Sequence, residues 1–180
     1  MRNEFLFAGF GGQGIIKAAL LLAEAAGIYD NKEVIQTQSY GPEARGGACR
    51  SEVVVDDEPI AYIKTQDIDV MVAMSQFAFN SYKTSIRDHT KVIVDEDLVK
   101  DIPEEIPYFP IPATRIAQDE FGRSLFANII MLGAMSAVTG LVPLDALSKS
   151  LDGNVPPKTL ETNRMALSRG FELGSALLKK

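Results

Sequence analysis

Gly9, Gly11 and Gly14 stand at the spacing G-x-G-x-x-G, directly after an apolar run at residues 4–8 and directly before a helical stretch at residues 15–26. That context gives the pattern a physical meaning. A residue without Cβ lets a strand reverse sharply, a second glycine lets a ligand approach the backbone, and the unbonded N–H groups opening a helix favour phosphate oxygens. The alternative is a tight strand-to-helix turn holding nothing. A dinucleotide site would add an Asp or Glu roughly 20 residues further on, at the end of the second strand, to bind a ribose. At that place the chain has Gln36-Thr37-Gln38, so a phosphate-bearing ligand other than NAD is expected.

A second loop, Ser39-Tyr40-Gly41-Pro42-Glu43-Ala44-Arg45-Gly46-Gly47, follows the second apolar run at residues 33–37. Ligands of open α/β sheets bind at the carboxyl ends of strands, so this loop should neighbour the first turn. Arg45 is its natural cation, able to pair bidentately with a phosphate or with a carboxylate of another protein. A surface ion pair for Arg45, and a purely structural Tyr40-Gly41-Pro42 turn, are the plainer alternatives.

Other candidates are weaker. Asp95-Glu96-Asp97 could serve a metal or acid–base chemistry, but acids before Leu98 also cap helices. Cys49 has no evident His partner and reads as an unreactive thiol near a strand start; His89 lies in a polar, exposed loop. One Cys and one His build neither a four-cysteine iron–sulfur cluster nor a Cys/His zinc site, so no metal is assigned to this chain. No Ser/His/Asp or Cys/His arrangement is visible, and no catalytic residue is assigned.

The elements that must position these residues follow from periodicity. Residues 4–8, the glycine turn and residues 15–26 read as strand, turn and helix; residues 33–37 should lie parallel to the first strand and complete a βαβ unit. Residues 49–55 and 60–63, joined by Asp56-Asp57-Glu58-Pro59, suggest a β-hairpin. Residues 68–74 and 91–95 read as core strands around a helix at 76–86, and the second half is helical at 113–121, 125–140, 144–151 and 159–179. In the last helix Leu160, Leu167, Phe171, Gly174 and Leu178 mark the face to be buried, on the chain's own sheet or on a partner. The fold class expected is α/β: a doubly wound, mostly parallel sheet with an inserted β-hairpin and a helical C-terminal part, as one domain over residues 1–180.

With 180 residues, 46% of them hydrophobic, the chain can bury a substantial core. A net charge of −6 argues against a nucleic-acid or anionic-membrane surface. The uncharged stretch 124–144 contains Asn128, two glycines and Pro143 and reads as a buried helix rather than a membrane span. The start Met1-Arg2-Asn3-Glu4 lacks the features of a signal peptide, and a cytoplasmic location is expected.

Taken together, Ala8-Gly9-Phe10-Gly11-Gly12-Gln13-Gly14, Thr37-Gln38 with the loop to Gly47, and Ser51-Glu52-Val53 closely resemble the gamma subunit of 2-oxoacid:ferredoxin (acceptor) oxidoreductases. The likeness continues through Ile111-Pro112-Ala113-Thr114 and through Ala127-Asn128 with Met131-Leu132-Gly133-Ala134. Tyr40 and Gly46-Gly47 make the loop most like the 2-oxoglutarate-specific branch. The resemblance implies a complex with alpha, beta and delta-type subunits, which carry thiamine diphosphate and iron–sulfur clusters. Such a complex decarboxylates the 2-oxoacid, passes electrons to ferredoxin and transfers the acyl group to coenzyme A. It implies coenzyme A as this chain's ligand and assembly as its second task. The cofactor-binding residues expected are Gly9, Gly11, Gly12, Gln13, Gly14, Ser39, Tyr40 and Arg45, the last three joining the ligand or the thiamine-bearing subunits. A free-standing Rossmann-like nucleotide-binding domain and a purely architectural subunit are the alternatives.

Overall fold

Strand β1 (Asn3–Phe10) buries every residue from Glu4 to Gly9, as a central strand covered on both faces must. The computed structural model, which describes residues 1–38 and 48–179, joins it to β2 (Glu33–Gln38), β3 (Ala48–Asp56), β4 (Val70–Ala73), β5 (Lys91–Asp95) and β6 (Tyr108–Ile111). They form one six-stranded sheet of order β2-β3-β1-β4-β5-β6. β1, β4, β5 and β6 pair in parallel, whereas β3 runs antiparallel to both β1 and β2. The fold is the expected mixed α/β architecture with a helical C-terminal part.

Two details of the expected topology are corrected. β2 points the same way as β1 but does not pair with it, because β3 lies between them. The antiparallel insert is therefore β2 with β3, and residues 60–63 form no strand. Both edges of β3 are already occupied, which leaves no ladder for a further strand to join. Residues 62–67 instead run past the amino end of β1, where buried Glu4 organises them. Its carboxylate accepts from Arg2 Nε at 2.6 Å and from the Gln66 and Asp67 amides at 2.5 and 2.8 Å, while the Arg2 guanidinium donates to the Tyr62 and Lys64 carbonyls. A buried carboxylate is tolerable when paired and bonded in this way. The parallel strand β6 went unforeseen.

Alternation along the strands divides the core. Phe5, Phe7, Val70, Val72 and Ile93 face α1 (Ile15–Glu24) and α4 (Ala127–Thr139), while Leu6, Met71, Ala73, Val92 and Val94 face the side of α2 (Gln76–Tyr82). The turn of helix after α1, Ala25–Tyr29, is π-helical. α3 (Ala113–Phe121) and α5 (Leu144–Ser150) frame α4, and α6 (Leu160–Leu177) packs on its outer side. α4 is thus buried nearly all round, which explains its uncharged sequence. Among the described residues no helix is long and apolar enough to cross a membrane.

The face of α6 holds Leu167 and Gly174 as expected but not Leu178. Asn163, Ala166, Leu167, Gly170 and Gly174 are buried, whereas Leu178 is 56% exposed. Helix α4 receives most of that face, with a smaller contact to β6. The helices touch through their backbones: a Cβ on Gly133 would lie 2.0 Å from the Leu167 carbonyl oxygen, and one on Gly170 would lie 1.9 Å from that of Ile130. Small residues set this approach, and bulky ones mark only its flanks.

Candidate functional site

The carboxyl ends of β1, β4, β5 and β6 open on one edge of the sheet, the edge where doubly wound folds hold ligands. The glycine turn leaves β1 there and ends at Gly14, whose φ of 75° makes it the left-handed residue that starts α1. Gln13 locks the turn. Its Oε1 accepts from the Phe10 amide at 2.6 Å, its Nε2 donates to the Met74 carbonyl at 2.7 Å, and its own amide donates to the Phe10 carbonyl at 3.3 Å. One side chain therefore ties the ends of β1 and β4 together.

The glycines divide their labour. A Cβ on buried Gly9 would lie 2.5 Å from Gln13 Oε1 and 2.6 Å from Ile15 Cδ1, so Gly9 makes room for the lock. A Cβ on Gly14 would lie 2.3 Å from Asn128 Nδ2, which donates to the Gly14 carbonyl at 3.1 Å. A Cβ on Gly12, at φ 91°, would meet nothing within 4 Å beyond its chain neighbours, and Gly12 is exposed together with Gly11. The surface open to a ligand is Gly11-Gly12, and Gln13 adds a wall rather than a free amide.

Two hollows adjoin the turn. A cleft of about 180 Å³ is lined by Gly12, Gln13, Met74, Leu98, Thr114, Ser124, Leu125 and Ala127. A cavity of about 320 Å³ lies on the α1 side, with Gly14, Lys17, Arg123, Leu125, Asn128 and Asn163 in its wall. On the α2 side, Phe10 and Phe77 stack with ring centroids 6.2 Å apart, both partly exposed. Ser39, Tyr40 and Arg45 lie outside the described residues. The residues that bracket them, Gln38 and Ala48, sit at the same edge, Ala48 opposite Phe10.

The acidic cluster is a cap. Asp95, fully buried, accepts from Thr114 Oγ1 at 2.5 Å and from the Asp97 amide at 3.1 Å, and Asp97 accepts from the Arg115 amide at 2.8 Å. Together they serve the opening turn of α3, which follows Pro112 and has no side-chain cap of its own. Burial pushes the Asp95 carboxyl above its usual range despite these bonds. Cys49 is buried, and burial raises its thiol. His89 is exposed beside Asp67 and Asp69.

Lys17, Arg123, Asn128 and Asn163 had no assigned role in the sequence. Asn128 carried a readable signal, a polar residue inside an uncharged helix. The others come from separate segments that only the fold brings together.

The family described as Pyruvate ferredoxin/flavodoxin oxidoreductase matches the chain over residues 4–173. The 2-oxoglutarate synthase subunit KorC of Methanocaldococcus jannaschii is 48% identical over 180 residues, covering 98% of this chain and 96% of that one. A solved gamma subunit of a keto/oxoacid ferredoxin oxidoreductase from Geobacter sulfurreducens superposes with a TM-score of 0.86 at 40% identity, over 97% of this chain and 99% of that one. The 2-oxoglutarate:ferredoxin oxidoreductase of Magnetococcus marinus, solved with 2-oxoglutarate, coenzyme A and succinyl-CoA bound, superposes with a TM-score of 0.82 at 26% identity. There the match covers 99% of this chain but 32% of the other, so the matching region is one part of a longer polypeptide.

Proposed function

Because the chain belongs to the pyruvate ferredoxin/flavodoxin oxidoreductase family, as a gamma subunit similar to those of 2-oxoglutarate enzymes, we propose that it supplies one wall of a coenzyme A site. The parent complex would oxidatively decarboxylate a 2-oxoacid, 2-oxoglutarate foremost, to the acyl-CoA and CO2. Alpha, beta and delta-type subunits supply thiamine diphosphate, iron–sulfur clusters and the electron path to ferredoxin; residues 1–180 act as one gamma-type domain in a cytoplasmic assembly. Coenzyme A in the Magnetococcus marinus structure supports this ligand class.

The observation that carries the reading is the open Gly11-Gly12 backbone at the carboxyl edge, with a cleft beside it and a helix start behind it. Phosphate oxygens are favoured by the unbonded N–H groups of the first turn of α1 and by the charge of Lys17. Thr114 and Ser124 line the cleft and can bond polar atoms of a pantetheine arm. The chain's task is to hold and orient the thiol-bearing ligand while the chemistry proceeds on its partners.

A free-standing NAD-type domain is disfavoured for two reasons. β2 ends in Gln36-Thr37-Gln38, and β3 takes the place beside β1, which moves that end roughly 10 Å away from the turn. An architectural role without ligand is favoured by one observation, the internal use of Gly9, Gln13 and Gly14. Gly12→Ala separates these readings. In the co-expressed complex it should raise KM for coenzyme A about tenfold, with assembly intact, in a viologen-reduction assay. Unchanged turnover and KM would leave the turn a structural element only.

A further inference from the structure

The two faces of the sheet are covered unequally. On one face α1 packs on both β2 and β3, while on the other α2 lies over β1, β3 and β4. The outer strip of that second face carries a trench of about 450 Å³, a volume within the range of small-ligand sites. Its floor is the row Leu6, Glu52 and Thr37, which stand opposite one another in β1, β3 and β2, so it crosses three strands and spans roughly 10 Å. One wall is the segment at residues 63–66, held in place by the bond from Arg2 to the Lys64 carbonyl and by that from the Gln66 amide to Glu4. Arg50, Tyr82 and Arg87 form the other. No residue of the glycine turn lines it.

The trench gathers charges whose bonding capacity is largely unspent. Arg50, Lys64 and Arg87 line it, in a chain of net charge −6, and Glu52 is the one acid among its described lining residues. The Lys64 ammonium has no partner among the described residues. Arg87 Nη1 donates to the Thr84 and Ile86 carbonyls at 3.0 and 3.2 Å. Those bonds anchor the guanidinium and leave its Nε and Nη2 without a partner among the described residues. The Arg50 guanidinium lies 5.5 Å from the centre of the Tyr82 ring, and its Nη1 is 3.8 Å from Glu52 Oε1, too far for a hydrogen bond. Glu52 has the opposite need. Its side chain is only 16% exposed, yet among the described residues its carboxylate accepts a single bond, from Thr37 Oγ1 at 3.3 Å. A carboxylate so far withdrawn from water ordinarily collects more donors.

A bare phosphate answers the cations of one wall and leaves Glu52 without a donor. A simple amine answers Glu52 and is repelled by three cations. A plain dicarboxylate reaches the cations of both walls but turns only acceptors toward Glu52. We infer that the trench binds a short amino or hydroxy dicarboxylate, one carboxylate toward Arg50 and Arg87, the other toward Lys64, and its N–H or O–H donor toward Glu52 and Thr37. Arginine suits the first end because its planar fork pairs bidentately with a carboxylate. Leu6 and Ile68, both buried, give the carbon chain an apolar base. A 2-oxo dicarboxylate lacks the donor, so the trench prefers the aminated or reduced counterpart of such an acid to the acid itself. The inference does not depend on the coenzyme A reading of the turn.

The test titrates the full chain with glutamate, malate, succinate, 2-oxoglutarate and inorganic phosphate at constant ionic strength, following the Nε–H resonances of Arg50 and Arg87 by NMR. Glutamate or malate should shift both resonances to saturation, with a Kd about tenfold or more below those of succinate, 2-oxoglutarate and phosphate. The tighter of the two names the donor as amino or hydroxyl. Arg87→Gln, which alters an exposed side chain, should weaken that binding about tenfold or more, and Glu52→Gln should bring succinate to within about threefold of the preferred ligand. The inference is overturned if neither glutamate nor malate moves the resonances, if succinate or phosphate binds as tightly, or if folded Arg50→Gln and Arg87→Gln both bind as the parent does. It also falls if coenzyme A displaces the dicarboxylate, because the trench would then belong to the site at the turn.

Discussion

The contact between α4 and α6 and the turn between β1 and α1 both depend on glycine, for opposite reasons. At the helix contact a side chain has nowhere to go, because the facing carbonyls already occupy the position of a Cβ. A Cβ on Gly12 would meet nothing within 4 Å beyond its chain neighbours. Closeness there serves the protein's own packing, and openness here serves something that arrives from outside. Substitutions at the first place should therefore register in stability, and at the second in ligand use.

The comparison is tested most severely at the helix contact. Gly170→Ala must push α6 away from the Ile130 carbonyl and should cost about 3 kcal/mol in urea unfolding, despite the better helix propensity of Ala. An unchanged midpoint would break the contrast at its stronger end. Gly14→Ala belongs to the turn by sequence but to the packed region by contact. A left-handed φ and the displacement of Asn128 together should cost about 2 kcal/mol.

Asp95→Asn should cost about 1 kcal/mol near neutral pH, since Thr114 keeps an acceptor while the caps on α3 weaken. It also removes a pH dependence. Burial raises the native Asp95 pKa above the 3.8 of an ordinary carboxyl, so across that interval the native state keeps a proton that the unfolded chain has released. Asp95's contribution to stability is therefore full below 3.8, falls as pH rises through the native pKa, and is level above it. The difference between parent and variant across acid unfolding titrations should show that slope. Gly12→Ala should cost only about 1 kcal/mol, all of it backbone strain at a positive φ, together with the loss of coenzyme A affinity described above. A large loss of stability at Gly12 would erase the distinction between the two regions.

Local features of the sequence were readable and pairings were not. The strand, turn and α1 were legible because apolar runs and glycines meet within a few residues. The neighbour of β1 was not, because residues 3–10 choose between β2 and β3 through contacts distant in sequence, such as Asn3 with Val55. β6 escaped because it is short and contains Pro110. A proline costs least in an edge strand, whose outer side needs no donor. The buried face of α6 was legible only in part: Leu167 and Gly174 lie on it as expected, whereas Asn163, Ala166 and Gly170 carry no apolar bulk to mark them. At the site, the turn was visible as a motif, but Lys17, Arg123, Asn128 and Asn163 come from α1, the segment before α4, α4 and α6, and only the fold brings them to one cavity wall.

The Gln13 lock also gives the turn a clock. The Phe10 amide proton is held by a side chain three residues ahead, so its exchange with deuterium reports on Gln13, whose other end holds the Met74 carbonyl just past β4. The exchange rate of that one proton reports how often the Gln13 side chain releases the turn, with no ligand, partner or assay of turnover required.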